Sequence, residues 1–337
     1  MNMNNRRNIF SVIIPVYNAE RTIERTLASL ISNRDYIHEV ILVNDKSTDR
    51  TFEKIKQFQN FFEIKVLDNQ YSKGVGTARK TGLMFSTGKW ITFVDADDCL
   101  TSSSLYYVYK QLNNNKDIVL LHSKSIYYES GNFNADAIEY SDTSCGGNFY
   151  KKSYLLKNNL LPHDTLAMAE DEYFNEKIIK YITYCDKRCS ITHFNYPVYE
   201  VHHDNEFGLS FALSNWADYC CKYHLLYKEY LTSDFIENKN MEHMLLEEYM
   251  DSFIFCYFLS QGLMSDEDVN FKLEEHKKYF KRALDYFVKT FQKSEQYLID
   301  YFKDDESNTN AILQSAYTSI GFVFDININF IIFVQTL

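Results

Sequence analysis

The sequence predicts an α/β fold, a mostly parallel sheet covered by helices on both faces, followed by a mainly helical C-terminal region. Two observations carry that prediction. Four short β-branched and aromatic runs fall in the first hundred residues: IFSVII (9–14), EVILV (39–43), EIKVL (63–67) and WITFV (90–94). The segments separating the first three place apolar residues at helical spacing. Near-continuous apolar strands alternating with amphipathic helices are the pattern of a parallel sheet buried on both sides.

In chain order, MNMNNRRNIF runs into the first strand without the apolar core of a secretory signal. In ERTIERTLASLI (20–31), Ile23, Leu27, Leu30 and Ile31 share one face, and Asn18 is placed to cap the helix. STDRTFEKIKQF (47–58) repeats the arrangement, with Ser47 as cap and Phe52, Ile55 and Phe58 inward. SKGVGTARKTG (72–82) reads as a loop entering a helix. It lacks phosphate-loop spacing, and Arg79 stands where a dinucleotide fingerprint wants a small residue. Gly74 and Gly76 permit close backbone approach, and Arg79 supplies a cation.

Beyond residue 100 the pattern loosens. Residues 105–112 read as a helix and DIVLLHSKSIYY (117–128) as a strand. TLAMAEDEYFNEKIIKYI (165–182) reads as a helix with Phe174, Ile178 and Tyr181 on one side and Glu170 and Asp171 near its beginning. ITHFNYPVYEVHHDNEFGLS (191–210) reads as a strand or hairpin and a loop. From Phe211 onward the chain is helical in pattern and rich in Tyr, Phe and Leu, so the expected domains are 1–210 and 211–337. The end, IGFVFDININFIIFV, alternates apolar and polar residues as a half-buried strand does. A bilayer span there would bury Asp325 at a cost of roughly 2.5–3.5 kcal/mol.

Composition narrows the function. The formal net charge is −11 without a basic run, which excludes a nucleic-acid binder. The seven cysteines form no CxxC pair, and Cys185/Cys189 lacks a second half, so structural zinc is not expected. Scattered cysteines suit reduced thiols in the cytoplasm.

Polar loops, PVYNAE, NDKSTD and DADD, follow the first, second and fourth strands. In a parallel sheet these strand ends share one edge, where ligands collect. DADD crowds Asp95, Asp97 and Asp98, and carboxylates so close need a counter-charge. Local cations or a metal would supply it. Three solvated acids at a strand end are the plainer alternative.

FSVIIPVYNAERTIERTLASL, EVILVNDKSTDRT, NQYSKGVGTARKTGL, GKWITFVDADDCL and AEDEYF together resemble the successive motifs of glycosyltransferase family 2, over residues 9 to about 210. The resemblance implies the Rossmann-like GT-A fold and inverting sugar transfer from a nucleoside-diphosphate donor, a UDP-sugar favoured. The acceptor would be a hydroxyl of a glycan or lipid-linked molecule in bacterial surface polysaccharide synthesis. It further implies that Asp95 contacts the ribose, Asp97 holds Mn²⁺ or Mg²⁺, and Asp98 lies behind them or toward the acceptor. Asp45 would accept the nucleobase imide N–H, with Pro15, Tyr17, Asn18 and Glu20 lining the pocket. Gly76 and Arg79 would lie beneath the nucleotide, with Arg79 toward the phosphates or simply at the surface. Asp171 would be the general base, although Glu170 and Asp171 also suit a helix N-terminus. His203, or else His202, would complete the metal shell. Residues 211–337 would shape the acceptor site, form an oligomer or rest on the inner face of the membrane. A phosphatase of haloacid-dehalogenase type also uses DxD at a strand end, but on its first strand and with Thr or Val where this chain has Cys99. A silent nucleotide-sugar or glycan binder is the other alternative, and it would not require Asp171.

Overall fold

The computed structural model describes residues 9–70, 74–129, 132–140, 143–163, 166, 169–203, 226 and 244–245. The chain divides into two compact units, Met1–Gly208 and Leu209–Leu337, and the elements below belong to the first. The helices expected beyond residue 211 and the alternating C-terminal strand lie outside the described residues, apart from Leu226, Met244 and Leu245.

The first half alternates as expected: β1 (Phe10–Val16), α1 (Ile23–Leu30), β2 (Ile37–Asn44), α2 (Thr51–Ile55), β3 (Ile64–Asp68), α3 (Val75–Phe85) and β4 (Trp90–Phe93). Then come β5 (Cys99–Leu100), α4 (Ser104–Asn114), β6 (Ile118–Glu129), β7 (Asn132–Tyr140), β8 (Phe149–Lys151), α5 (Lys152–Lys157), α6 (Glu170–Tyr184) and β9 (Ser190–His203). The sheet runs β3-β2-β1-β4-β8-β6-β9-β5, with β7 paired to β6. Strands β1 to β4 are parallel to their neighbours among themselves, and β8 joins β4 antiparallel.

Each face of the parallel half carries its own apolar layer. Val12, Ile14 and Val16 pack with Ile23, Leu27 and Leu30 of α1 and with Leu105 and Val108 of α4. Ile13 points the other way, with Ile41 and Val43 of β2, to Ala78 and Leu83 on α3 and to Phe174 and Ile178 on α6. This is the period-two alternation of a sheet covered twice. Gly82 lets α3 sit on it, since a Cβ there would lie 2.3 Å from Ile13 Cγ2. Pro15 pairs with Val43 of β2 at a level where the β4 register, which ends at Ile13–Phe93, no longer reaches β1. The missing N–H of a proline is tolerated in such a place.

Several local expectations are corrected. Neither Asn18 nor Ser47 caps a helix: Thr22 and Arg50 precede α1 and α2, and neither makes a side-chain cap. Instead the loops after β1 and β2 bond to each other. Asn18 Oδ1 accepts from Thr48 N at 2.8 Å, and Ser47 Oγ accepts from Asn18 N at 3.1 Å. The helix expected over 165–182 begins only at Glu170, because Ala169 takes a left-handed φ of 56°. Of the two readings open for the segment after Ser190, the strand holds, and it runs parallel to β6. The sequence pattern missed β7 and β8. NFNADAIEY alternates too weakly to read as a strand, and β8 is only 3 residues long.

A buried acid pins β2 to its neighbours. Glu39 is fully buried and accepts from Ser11 Oγ at 2.6 Å, Lys65 Nζ at 2.6 Å and Thr87 N at 2.6 Å. Burial pushes its carboxyl up, but Lys65, Ser11 and Thr87 more than offset this and hold it at about 2 instead of 4.5. A depressed carboxyl stabilises the fold above its unfolded value and stops doing so as pH falls through its folded value. The stability difference between the wild type and Glu39→Gln, followed by urea unfolding, should therefore be largest at neutral pH and shrink by on the order of 3 kcal/mol toward pH 2. A difference that does not change with pH would contradict the assignment.

Candidate active site

The carboxyl ends of β1, β2, β3 and β4 form the edge where the polar loops meet. Backbone bonds set it: Asp45 N donates to Val16 O at 2.8 Å, Asn69 N to Asn44 O at 2.9 Å, and Val94 N to Ile13 O at 3.0 Å. Tyr17 and Asn18 are exposed there, while Glu20 accepts from Arg50 N at 3.1 Å.

Asp45 is almost fully buried, and each of its carboxylate oxygens accepts a hydrogen bond. Asn69 Nδ2 donates to Oδ1 at 2.9 Å and Gly74 N to Oδ2 at 2.9 Å. Asp45 thus holds the entry of α3, where Gly74 has φ 146°, a conformation that glycine adopts at little cost. A carboxylate has about four acceptor positions, so these two bonds leave capacity for a ligand donor.

Helix α3 then carries Arg79 into the interior. Its guanidinium is 4% exposed, with Nη1 donating to Glu170 Oε1 at 2.6 Å and Nη2 to Asp95 Oδ1 at 2.9 Å. Arg79 is therefore neither a surface residue nor turned to open space for a phosphate. It bridges the acidic strand tip and the start of α6. Burial alone would lower its pKa, but the charges of Asp95, Glu170 and Asp171 raise it well above the ordinary arginine value. Gly76 makes the approach possible, since a Cβ there would meet His163 O at 2.5 Å and Glu170 Cγ at 3.3 Å.

The DADD segment is a turn, with Asp98 N donating to Asp95 O at 3.1 Å. It is held from two sides. Arg25 Nη2 and Thr26 Oγ1 of α1 donate to the carbonyls of Asp97 and Ala96 at 2.6 and 2.9 Å. From β9, Tyr199 Oη accepts from Asp95 N at 2.9 Å, and His202 N donates to Asp98 Oδ1 at 2.8 Å. Burial, then the charges of Asp95 and Asp97, drive the Asp98 carboxyl well above the usual range, against the bonds from His202 and Tyr199. Asp98 thus anchors the turn, and the half-buried Asp97 lies between it and Asp95 in sequence. Sequence reading missed Arg25, Thr26 and Tyr199, which look like ordinary members of an amphipathic helix and an alternating strand.

Glu170 and Asp171 open α6. Burial pushes the Glu170 carboxyl up to about 7, with Asp171 adding to the rise and Arg79 opposing it. Asp171 is raised too, by burial first, although Arg79 and the Glu172 N–H at 2.9 Å oppose it. Two such neighbours titrate as a pair. Of the two histidines, His202 stacks on Tyr128 with centroids 4.7 Å apart and interplanar angle 6°. The backbone of His203 ends β9, and its side chain lies outside the described residues.

Residues 11–176 match the sequence model described as Glycosyl transferase family 2. Through this domain the chain belongs to that family. The match sets aside the phosphatase alternative. Similar curated proteins include WfgD of Escherichia coli, a UDP-Glc:alpha-D-GlcNAc-diphosphoundecaprenol beta-1,3-glucosyltransferase. It is 36% identical over 97 residues, which is 29% of this chain and 38% of WfgD. TarP of Staphylococcus aureus N315, a poly(ribitol-phosphate) beta-N-acetylglucosaminyltransferase, is 25% identical over 256 residues, or 71% of this chain and 77% of TarP. Several curated relatives are matched over less than half of their own length, such as 27% for GlyA of Streptococcus pneumoniae. Among solved structures, residues 1–349 of S. aureus TarS superpose with TM-score 0.64 at 19% identity, covering 94% of this chain and 89% of that one. The same protein in complex with UDP-GlcNAc gives 0.63 at 20% identity. At these identities the likeness shows a shared fold, the GT-A type.

The family 2 domain therefore brings Arg79, Asp95, Glu170 and Asp171 into one constellation. Carbon-13 carboxyl NMR should find Glu170 half-protonated near pH 7, and Asp171→Asn should lower that midpoint by removing a neighbouring negative charge. An unmoved midpoint, or one near the ordinary 4.5, would contradict the coupling.

Proposed function

We propose that the chain transfers a sugar, with inversion, from a nucleoside-diphosphate donor to a hydroxyl of a bacterial surface glycan or lipid-linked acceptor. The observation that carries this reading is the Arg79 bridge, which sets Asp95 of the acidic turn beside the Glu170–Asp171 pair. Family membership and the WfgD and TarP likenesses support the reaction class. A UDP-sugar is the favoured donor, since WfgD uses UDP-Glc by name and TarS has been solved with UDP-GlcNAc.

In this reading Pro15, Tyr17, Asn18 and Glu20 flank the base and ribose, and Asp45 accepts the uracil imide N–H while Asn69 and Gly74 fix its carboxylate. Asp95 meets the ribose through an orientation set by Arg79 and Tyr199. The acidic turn suits a Mg²⁺ or Mn²⁺ ion: the charges of Asp95 and Asp97 add to burial in raising the Asp98 carboxyl, and hard oxygen ligands are what these ions take. Asp97 would hold the ion, with His203 as its second ligand, and the ion's charge would offset that of the departing diphosphate.

The chain's own chemistry centres on Asp171. Its carboxylate takes the acceptor hydroxyl proton while that oxygen bonds to the anomeric carbon. The bond from that carbon to the diphosphate oxygen breaks, and the nucleoside diphosphate leaves with the electron pair. Glu170 positions α6 through Arg79. Because burial holds the pair's protons tightly, the base becomes active only as they leave. The transfer rate should therefore rise with pH, with its midpoint above the ordinary aspartate value.

Release of nucleoside diphosphate from a donor panel, with Mn²⁺ or with chelator, tests the reading. Transfer or slow donor hydrolysis with the metal is expected. Asp97→Ala should abolish the metal-dependent part. Asp171→Asn should cut transfer by about 10²- to 10⁴-fold while sparing donor binding. Full transfer by that variant would remove Asp171 as base, and inertness with every donor, despite donor binding, would favour the silent binder.

A further inference from the structure

Cys99, Glu200 and His202 form a cluster that sugar transfer does not use. Cys99 opens β5 and sits directly across from Glu200 in the antiparallel β5–β9 pair. His202 is two residues further along β9, hence on the same face as Glu200 and on the opposite face from Tyr199, which bonds to Asp95. One ligand atom from each of the three lies within 4.8 Å of the others. His202 Nε2 and Glu200 Oε2 are 3.6 Å apart. Two nitrogen or oxygen ligands on a tetrahedral zinc, with bonds of about 2.0–2.2 Å, stand roughly 3.4 Å apart. The Tyr128 ring stacked on His202 fixes the imidazole plane, and Cys99 is only 4% exposed.

We propose that Cys99, Glu200 and His202 bind a zinc ion, with water as its fourth ligand. A thiolate, an imidazole and a carboxylate make a borderline-soft set that zinc accepts, whereas Mg²⁺ and Mn²⁺ are hard ions for which a thiolate is a poor ligand. The site is thus chemically separate from Asp97. Burial pushes the Cys99 thiol up to about 11, so binding releases its proton to solvent. Arg25 nearby opposes a dication, while Glu200 adds negative charge on the other side of the balance. Such an ion would staple the two-residue β5 to β9 immediately after the acidic turn, at the strand whose His202 N–H holds Asp98. Sequence spacing gave no zinc motif because the ligands lie about a hundred residues apart and meet only through strand pairing.

The full chain, exposed to zinc and dialysed against magnesium buffer, should retain one zinc per molecule by elemental analysis. X-ray absorption should show one sulfur and otherwise nitrogen or oxygen neighbours. Cobalt in its place should give a thiolate-to-cobalt charge-transfer band, lost in Cys99→Ala and in His202→Gln. Failure to retain zinc, a metal shell without sulfur or with several, or an undiminished band in a folded Cys99→Ala chain would each overturn the proposal. The absorption spectrum of the unaltered chain decides even if the variants do not fold.

Discussion

The site depends on one buried cation shared by two carboxylates. Arg79 donates to Asp95 and to Glu170 from a nearly fully buried position. Two separate acidic motifs thereby become one site. Removing a buried charge from water costs several kcal/mol, and only close hydrogen-bonded partners offset it. The three groups therefore fix one another, and none can move without leaving a charge unpaired. Burial first, and then neighbouring negative charge, raises both carboxyls of the Glu170–Asp171 pair, and Arg79 opposes that rise.

The scaffold makes this arrangement possible by close packing beneath it. Gly82 seats α3 on β1, and Gly76 brings the first turn of α3 against His163 and Glu170. Asp45 holds the entry of the same helix through Gly74 N. Helix α3 thus links the end of β2 to the end of β4 and to α6. On the far side, α1 and β9 hold the acidic turn by its carbonyls, its amides and Asp98.

Much of this was legible in the sequence, for identifiable reasons. The four parallel strands and α1 were plain because their apolar residues repeat with the period of the element they form. The acidic turn and Asp171 were visible because carboxylates concentrated at a strand end and a helix start are unusual. The partner of those acids was not legible. Arg79 sits in a glycine-flanked segment that looks exposed, and only the packing of α3 against α6 reveals that it is buried. Asn18 and Ser47 looked like caps because local spacing cannot show that two loops from neighbouring strands will bond to each other. Tyr199 gave no signal, since an inward tyrosine in a strand is ordinary until its hydroxyl meets Asp95 N.

The most direct test of this account is a double-mutant cycle between Arg79 and Glu170. Unfolding free energies would be measured for the wild type, Arg79→Met, Glu170→Gln and the pair. If the buried bridge is real, the two losses should fall short of additivity by about 1–3 kcal/mol, as for contacting charged groups. Additivity within about 0.5 kcal/mol would show that the two side chains act independently and that the acidic motifs are not joined through Arg79.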